Sequence, residues 1–194
     1  MYDVLIKYLN GFTATPLKGW EIDLIQSIFT PKKFRKRQYF LQEGEVCKIT
    51  AFIVKGAMRK YRVGEKGEEH VIRLYLENWW ASDRESLIKE TPSSYYIDAW
   101  EDTECLVVTR ADLSDLVDRI PVMTKWILTL DNNHAIAAQK RIEAAISLSS
   151  GDRLHHFEEN YPEFLQRFPQ HIIASYLGIN RETLSRIRAR AAKK

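Results

Sequence analysis

The hydrophobic pattern of the chain changes at about residue 33 and again at Arg110, and these changes limit the possible folds more than any other feature. Between residues 33 and 110, short segments of β-branched and aromatic residues alternate with turn signals such as Gly64–Gly67. Beyond Arg110 the apolar residues recur at helical spacing. We therefore predict an α+β chain in which a short amphipathic helix at 19–29 precedes an all-β sandwich or barrel, and helices follow. The clearest predicted strands are 51–54, 57–63, 70–76, 95–100 and 105–108.

Composition narrows the class of protein. The 194 residues are 45% hydrophobic and 28% charged, and no apolar run approaches the ~20 residues that a bilayer-spanning helix needs. We expect a globular protein of one to two domains with no membrane partner. The N-terminal residues lack the basic and apolar regions of a signal peptide, so we expect a cytoplasmic protein. Cys47 and Cys105 are too few for a four-thiolate cluster, so we expect buried reduced thiols, no metal site and no cofactor.

A long helix is predicted from Pro121 to about residue 149, because proline suits the first turn of a helix. Along this segment, residues recur at alternating steps of three and four, which is the 3.5-residue repeat of a coiled coil. The repeat predicts a homodimer seam formed by Met123, Ile127, Leu130, His134, Ala137 and Arg141. The alternative is a helix packed on its own domain through Trp126, Leu130 and Ile136, and both arrangements can hold on different faces.

A break follows the long helix. Ser149-Ser150-Gly151-Asp152 interrupts the helical pattern, and Asp152 can cap a new helix. We predict a hinge there, and short helices in the remaining residues. The expected domains are 1–120 for a sensor domain, 121–150 for the long helix and hinge, and 151–194 for a helical domain.

Residues 170–187 predict two helices joined by a tight turn. Gly178 can adopt the left-handed conformation that ends one helix, and Asn180 can cap the next. The predicted core between the two helices consists of Ile173, Leu177, Ile179, Leu184 and Ile187. In the DNA-binding form of this motif, the start of the second helix faces base edges in the major groove. The outward residues that we expect to contact double-stranded DNA are Arg181, Glu182, Ser185, Arg186, Arg188, Arg190, Lys193 and Lys194.

The distribution of charge supports this expectation. The net charge of the whole chain is only +3. Residues 181–194, however, contain six basic residues and one glutamate, a net charge of +5, which leaves −2 for residues 1–180. A basic cluster at one end of a mildly acidic chain is the electrostatic pattern expected for a polyanion partner.

The segment from Gly178 to Ile187 resembles the recognition-helix region of the Crp/Fnr superfamily of bacterial transcription regulators, in which an Arg-Glu-Thr run followed by Arg reads DNA. The order of predicted elements resembles that family across essentially the whole chain. The resemblance implies a jelly-roll-like β-roll of the cyclic-nucleotide-binding type, a dimerisation helix and a C-terminal helix–turn–helix. It also implies a near-palindromic operator read by Arg181, Glu182 and Arg186. Because the sequence ends at Lys194, we expect no β-hairpin wing.

The resemblance also locates a candidate effector pocket. Family members that bind cyclic nucleotides carry Gly-Glu and, about ten residues later, Arg-Ser/Thr-Ala. Ser82-Asp83 and Ser93-Ser94-Tyr95 stand at these places, so the arginine that pairs with the cyclic phosphate is missing. We expect an unknown small-molecule effector and not ordinary cyclic AMP, although Arg84 or Lys89 can approach from another direction. The candidate pocket residues are Trp80, Ser82, Asp83, Arg84, Ser93, Ser94 and Tyr95; alternatively, the aromatic residues only fill the core.

Two further patterns carry little weight. His155-His156 with Glu158 and Glu159 has the spacing of two metal ligands, but this group is typical of a solvated helix face. Ser86-Leu87-Ile88-Lys89 matches S-x-x-K without the companion motifs of the serine enzymes that use it. We therefore predict that the chain is not an enzyme. The alternative function is a ligand-binding or protein-interaction module that has lost sequence-specific DNA binding.

Overall fold

The structure is a computed structural model that describes residues 1–191, with the side chains of Arg190 and Ala191 left out. Two helices come first, α1 (Tyr2–Asn10) and α2 (Gly19–Ile28). The strands are β1 (Thr30–Phe34), β2 (Tyr39–Leu41), β3 (Ile49–Lys55), β4 (Met58–Val63), β5 (Glu69–Tyr75), β6 (Trp80–Ala81), β7 (Tyr96–Ala99) and β8 (Thr103–Thr109), with α3 (Arg84–Lys89) between β6 and β7. The later helices are α4 (Arg110–Arg119), α5 (Pro121–Ser147), α6 (Ser150–Asn160), α7 (Pro162–Arg167), α8 (Gln170–Leu177) and α9 (Arg181–Ala191).

The strands form two four-stranded sheets, in the orders β1-β8-β3-β6 and β2-β7-β4-β5. In the first sheet, β8 pairs antiparallel with both β1 and β3. Apart from β4 and β5, which follow one another along the chain, adjacent strands in each order are not consecutive in sequence, and this is the crossed connectivity of a roll and not of a simple meander. The antiparallel core, the long helix after it and the C-terminal helices confirm the predicted α+β class and β-roll.

The chain divides into two compact units. The first unit contains Met1–Lys60 and Tyr75–Asn132, and the second unit contains Tyr61–Leu74 and the residues from Asn133 onward. One core of the first unit includes Ile53, Met58 and Ile97, all fully buried.

A second core of the first unit packs helices against the roll. On α1, Leu5 and Leu9 are one turn apart and fully buried. At the start of α5, Met123 and Trp126 belong to the same core, and the Trp126 ring lies 4.6 Å from that of Trp80. The first turns of α5 therefore pack on their own unit, as one of the two arrangements proposed for this helix requires.

Both cysteines are free and buried in the structure. Burial raises the pKa of the Cys47 thiol, and it raises the pKa of the Cys105 thiol to about 12. Both thiols are therefore protonated at neutral pH and poorly nucleophilic.

The break after α5 is structured by hydrogen bonds. The Ser149 hydroxyl accepts from the Asp152 amide at 3.2 Å and donates to the Asp152 carboxylate at 2.7 Å. Ser149, and not Asp152 as the sequence suggested, is thus the residue that caps α6, and Asp152 lies within its first turn. The Arg153 guanidinium donates to the carbonyls of Ala145 and Leu148 at the end of α5, where carbonyl groups lack helical partners.

No helix in the described residues is long and apolar enough to cross a membrane.

Candidate nucleic-acid interface and effector pocket

The turn between α8 and α9 has the geometry that its sequence predicts. Gly178 ends α8 in the left-handed conformation, with φ 66° and ψ 34°. Its amide donates to the Ser175 carbonyl at 3.1 Å, and the Ile179 amide donates to the Ala174 carbonyl at 3.0 Å. Asn180 then caps α9, because its Oδ1 accepts from the Thr183 amide at 2.8 Å. These two caps fix the direction of α9 relative to α8.

The small core under this turn consists of the expected apolar residues and a set of aromatic rings. Ile173, Ile179 and Leu184 are buried, whereas Leu177 and Ile187 are half-buried. Three buried aromatic rings, which come from α6, from α7 and from the residue that follows α7, complete this core, namely Phe157, Phe164 and Phe168. The face of α9 that these residues do not cover remains available to a partner.

Four of the predicted DNA-contacting residues lie together on that uncovered face. Arg181, Glu182, Ser185 and Arg186 are exposed, and with Ala189 they line one shallow surface concavity. The Arg186 guanidinium donates to the Thr183 hydroxyl at 3.2 Å, which steadies it along the helix. Two arginines and a glutamate on one helix face offer the donors and the acceptor that read guanine and cytosine edges.

The remaining predicted DNA contacts differ in placement. Arg188 is turned away from this face, because its guanidinium donates to the Glu158 carboxylate of α6 at 3.0 Å. It ties α9 to α6 and does not join the exposed face. The side chain of Arg190, together with Lys193 and Lys194, lies outside the described part of the chain.

The candidate effector pocket contains an internal ion pair. Asp83 stands where the resemblance expects a ligand-binding glutamate, and its carboxylate is 2.8 Å from the Lys60 ammonium. Its second oxygen accepts from the Ser93 hydroxyl at 2.7 Å. The Lys60 ammonium also lies over the Tyr95 ring, 4.1 Å from the centroid. Both oxygens of Asp83 are therefore engaged by the protein itself.

Some of the predicted pocket residues lie apart from the Lys60–Asp83 ion pair and its neighbours Ser93 and Tyr95. Trp80 packs in the aromatic core between Phe29, Phe52 and Trp126, as the core-filling alternative proposed. Ser82 is half-buried and Ser94 is exposed.

The two cations that could have replaced the missing arginine are held elsewhere. The Arg84 guanidinium donates two hydrogen bonds to the Asp131 carboxylate on α5. The Lys89 ammonium pairs with Glu85 on its own helix at 2.7 Å. Neither cation reaches the carboxylate of Asp83.

Sequence reasoning did not identify Lys60 as a pocket residue. Its neighbour Arg59 was also missed; it makes a buried ion pair with Asp98 at 2.9 Å and lies over the Trp100 ring. The sequence did contain a signal for these ion pairs. β4 carries two adjacent basic residues although most of this strand must be buried, and two aspartates, Asp83 and Asp98, lie in other segments of the roll. Buried charges of opposite sign need one another.

The S-x-x-K pattern has a structural explanation. The buried Ser86 hydroxyl accepts from the Cys47 amide at 2.8 Å and donates to the Thr91 carbonyl at 2.6 Å. Ser86 therefore links two loops of the roll, while the Lys89 ammonium pairs with Glu85.

Four of the six residues of the predicted dimer seam make contacts within the chain itself. Met123 is fully buried in the core of its own unit, and Ile127 and Leu130 pack against that core. Arg141 donates to main-chain carbonyls of β5. Large apolar side chains of α5 are also exposed: Leu128 is 60% exposed, Ile136 52%, Ile142 61% and Ile146 82%. Ile136 therefore does not pack on its own domain, in contrast to Trp126 and Leu130 of the same predicted set.

Comparison with known proteins agrees with this architecture. Residues 31–120 match the family described as the cyclic nucleotide-binding domain. The chain is similar to the "Anaerobic regulatory protein" of Haemophilus influenzae, at 24% identity over 189 residues, which covers 91% of this chain and 73% of that protein. It is also similar to the "Cyclic AMP receptor protein" of Thermus thermophilus, at 27% identity over 181 residues, covering 86% and 79%.

Solved structures share the fold. FixK2 from Bradyrhizobium japonicum superposes with a TM-score of 0.74 at 18% identity, over 86% of this chain and 85% of that one. The relatives are named as regulatory proteins and not as enzymes, in agreement with the prediction that this chain is no enzyme. The domain match at residues 31–120, the relatives named as regulatory proteins and the shared fold agree with the resemblance to the Crp/Fnr superfamily.

Proposed function

We propose that the protein is a transcription regulator that binds double-stranded DNA through α9. The observation that carries the proposal is the exposed face of Arg181, Glu182, Ser185 and Arg186, next to a turn whose caps fix the helix direction. A cytoplasmic location follows from this partner. In this scheme, residues 1–120 form the sensor domain, 121–150 the dimerisation helix and hinge, and 151–194 the DNA-binding domain.

We propose further that the regulator acts as a homodimer through α5. Exposed apolar side chains at Leu128, Ile142 and Ile146 support this assignment, because apolar surface of this kind is favourably buried against a second copy. Two recognition helices would then enter major grooves roughly 34 Å apart on a near-palindromic operator.

The effector of the β-roll is proposed to be a small molecule other than ordinary cyclic AMP. Two features support this: no arginine stands at the expected phosphate position, and the Asp83 carboxylate is already bound by Lys60 and Ser93. Loss of a charge-assisted phosphate partner commonly costs about 2–5 kcal/mol.

A comparison of two arginine variants tests the assignment of α9 as the DNA-binding helix. Arg186→Ala removes a cation from the exposed face, whereas the control Arg188→Ala removes the same charge from a side chain bound to Glu158. For Arg186→Ala we expect a loss of about 1–3 kcal/mol in binding free energy and a relaxed base preference at one position of the site. For Arg188→Ala we expect an unchanged base preference.

The measurement is selection from a random duplex library, followed by titration at several salt concentrations. Unchanged base preference after Arg186→Ala would refute the assignment of α9. A wild-type chain that binds no duplex at all would favour the alternative function, a ligand-binding or interaction module.

A further inference from the structure

One edge of β5 is bound by a side chain of the helix–turn–helix, within the second compact unit. β5 is the last strand of its sheet, with β4 as its neighbour. The Ser175 hydroxyl of α8 accepts from the Val71 amide at 2.9 Å and donates to the Glu69 carbonyl at 2.7 Å. A single hydroxyl therefore satisfies two main-chain groups of a strand edge, which a hydroxyl can do because it both donates and accepts.

A second side chain joins the same strand to the same helix. The Arg141 guanidinium, from α5, donates to the carbonyls of Val71 and Ile72 on β5 and to the Tyr176 carbonyl on α8 at 3.1 Å. It also lies over the Tyr176 ring, 4.4 Å from the centroid. Arginine suits this position because its planar group carries five donors in fixed directions.

The contact lies immediately before the turn that aims the recognition helix. Ser175 and Tyr176 precede Gly178 by three and two residues, and the Ser175 carbonyl itself accepts from the Gly178 amide. A displacement of α8 along the strand edge would therefore move the start of α9 with it. The exposed face of α9 remains uncovered in this arrangement, so the contact holds the helix without hiding it.

We propose that Ser175 and Arg141 are positioning residues that clamp the helix–turn–helix to the edge of β5 and so fix the direction in which α9 is presented to DNA. This inference rests on the proposed DNA-binding function. A clamp of this kind sets the geometry between the two half-sites of a dimer's operator, because it restricts the rotation of each recognition helix. The affinity of a single recognition helix for a single half-site does not depend on this clamp.

The variant Ser175→Ala tests the clamp in the full-length protein. Alanine is favourable within a helix, so the variant is expected to fold. The control Ser147→Ala removes a hydroxyl that donates to the Glu143 carbonyl of its own helix at 2.7 Å. Ser175→Thr keeps the hydroxyl and should restore the wild-type behaviour.

Two measurements are needed. Hydrogen exchange of the Val71 amide should accelerate about five- to tenfold in Ser175→Ala, the effect of losing one net hydrogen bond, and should not change in Ser147→Ala. Affinities for duplexes with altered half-site spacing should become more nearly equal in Ser175→Ala, while the affinity for a single half-site stays the same.

The outcomes separate the clamp from the function on which it rests. Unchanged Val71 exchange in Ser175→Ala would show that the contact does not exist in solution. If exchange of the Val71 amide accelerates but the preference for half-site spacing stays that of the wild type, then Ser175 only satisfies the main-chain groups of the strand edge. That result would overturn its positioning role. A wild-type chain without any DNA binding would refute the proposed function and the positioning role together, and the exchange rates would still report whether the contact forms.

Discussion

Removing the Lys60 ammonium should strongly destabilise the first unit. Its nitrogen lies 2.8 Å from the Asp83 carboxylate, and the two side chains are only 12% and 4% exposed. With an effective dielectric constant of about 20, two unit charges at this distance attract by roughly 6 kcal/mol before desolvation is counted. Removing one partner of a buried pair costs about 3–5 kcal/mol, because the other charge is left uncompensated. We expect Lys60→Met to lower the free energy of unfolding by that amount.

The assay follows from the placement of the tryptophans. All five, at positions 20, 79, 80, 100 and 126, belong to the first unit, so their fluorescence reports the unfolding of this unit. At about 2–4 °C per kcal/mol for a chain of this size, Tm should fall by roughly 10 °C. Lys89→Met is the matched control, because its ammonium pairs with Glu85 at the surface and exposed ion pairs contribute little to stability.

A double-mutant cycle isolates the pair. Asp83→Leu alone should also destabilise the unit, whereas Lys60→Met combined with Asp83→Leu should recover much of the loss, because no lone charge remains. Strictly additive losses, or a Tm for Lys60→Met equal to that of Lys89→Met, would refute the reasoning that a buried ion pair fills this pocket.

Two further results are expected. Ile142→Glu places a charge in the exposed apolar part of α5 and should convert a dimer into a monomer in light-scattering measurements; a wild-type chain that is itself monomeric at micromolar concentration would contradict the dimer proposal. The pKa of Cys105 is raised from 9.0 to about 12 in the folded chain, so the folded state holds the thiol proton where the unfolded state releases it, and stability should fall as pH rises from 9 towards 12. Cys105→Ala should flatten this part of the stability curve in denaturant titrations, and an unchanged slope would exclude the thiol as its cause.

The helix–turn–helix could be predicted from sequence because its determinants are local. Gly178 and Asn180 act on main-chain groups within a few residues of themselves. The buried positions Ile173, Ile179 and Leu184 follow from helical spacing around the turn. Arg188 shows the limit of this reasoning, because its partner Glu158 lies 30 residues earlier on another helix.

The pocket could not be predicted in the same way. The pairing of Lys60 with Asp83 joins residues 23 positions apart on different elements, and periodicity along one strand does not show which charges meet across a roll. The long helix presented a related difficulty. A 3.5-residue repeat shows that one stripe is apolar, but it does not distinguish a stripe that faces a second copy from one that, like Met123, enters the core of its own unit.

The Lys60–Asp83 pair also means that the candidate effector pocket already contains one positive and one negative charge that are paired with each other. A purely anionic ligand could bind Lys60 only by displacing Asp83, which would leave a carboxylate buried without a cation. A ligand that brings one positive and one negative group could exchange with both partners and leave neither charge alone. Under the proposal of a small-molecule effector, the charges that a ligand carries would therefore decide its binding before its shape does.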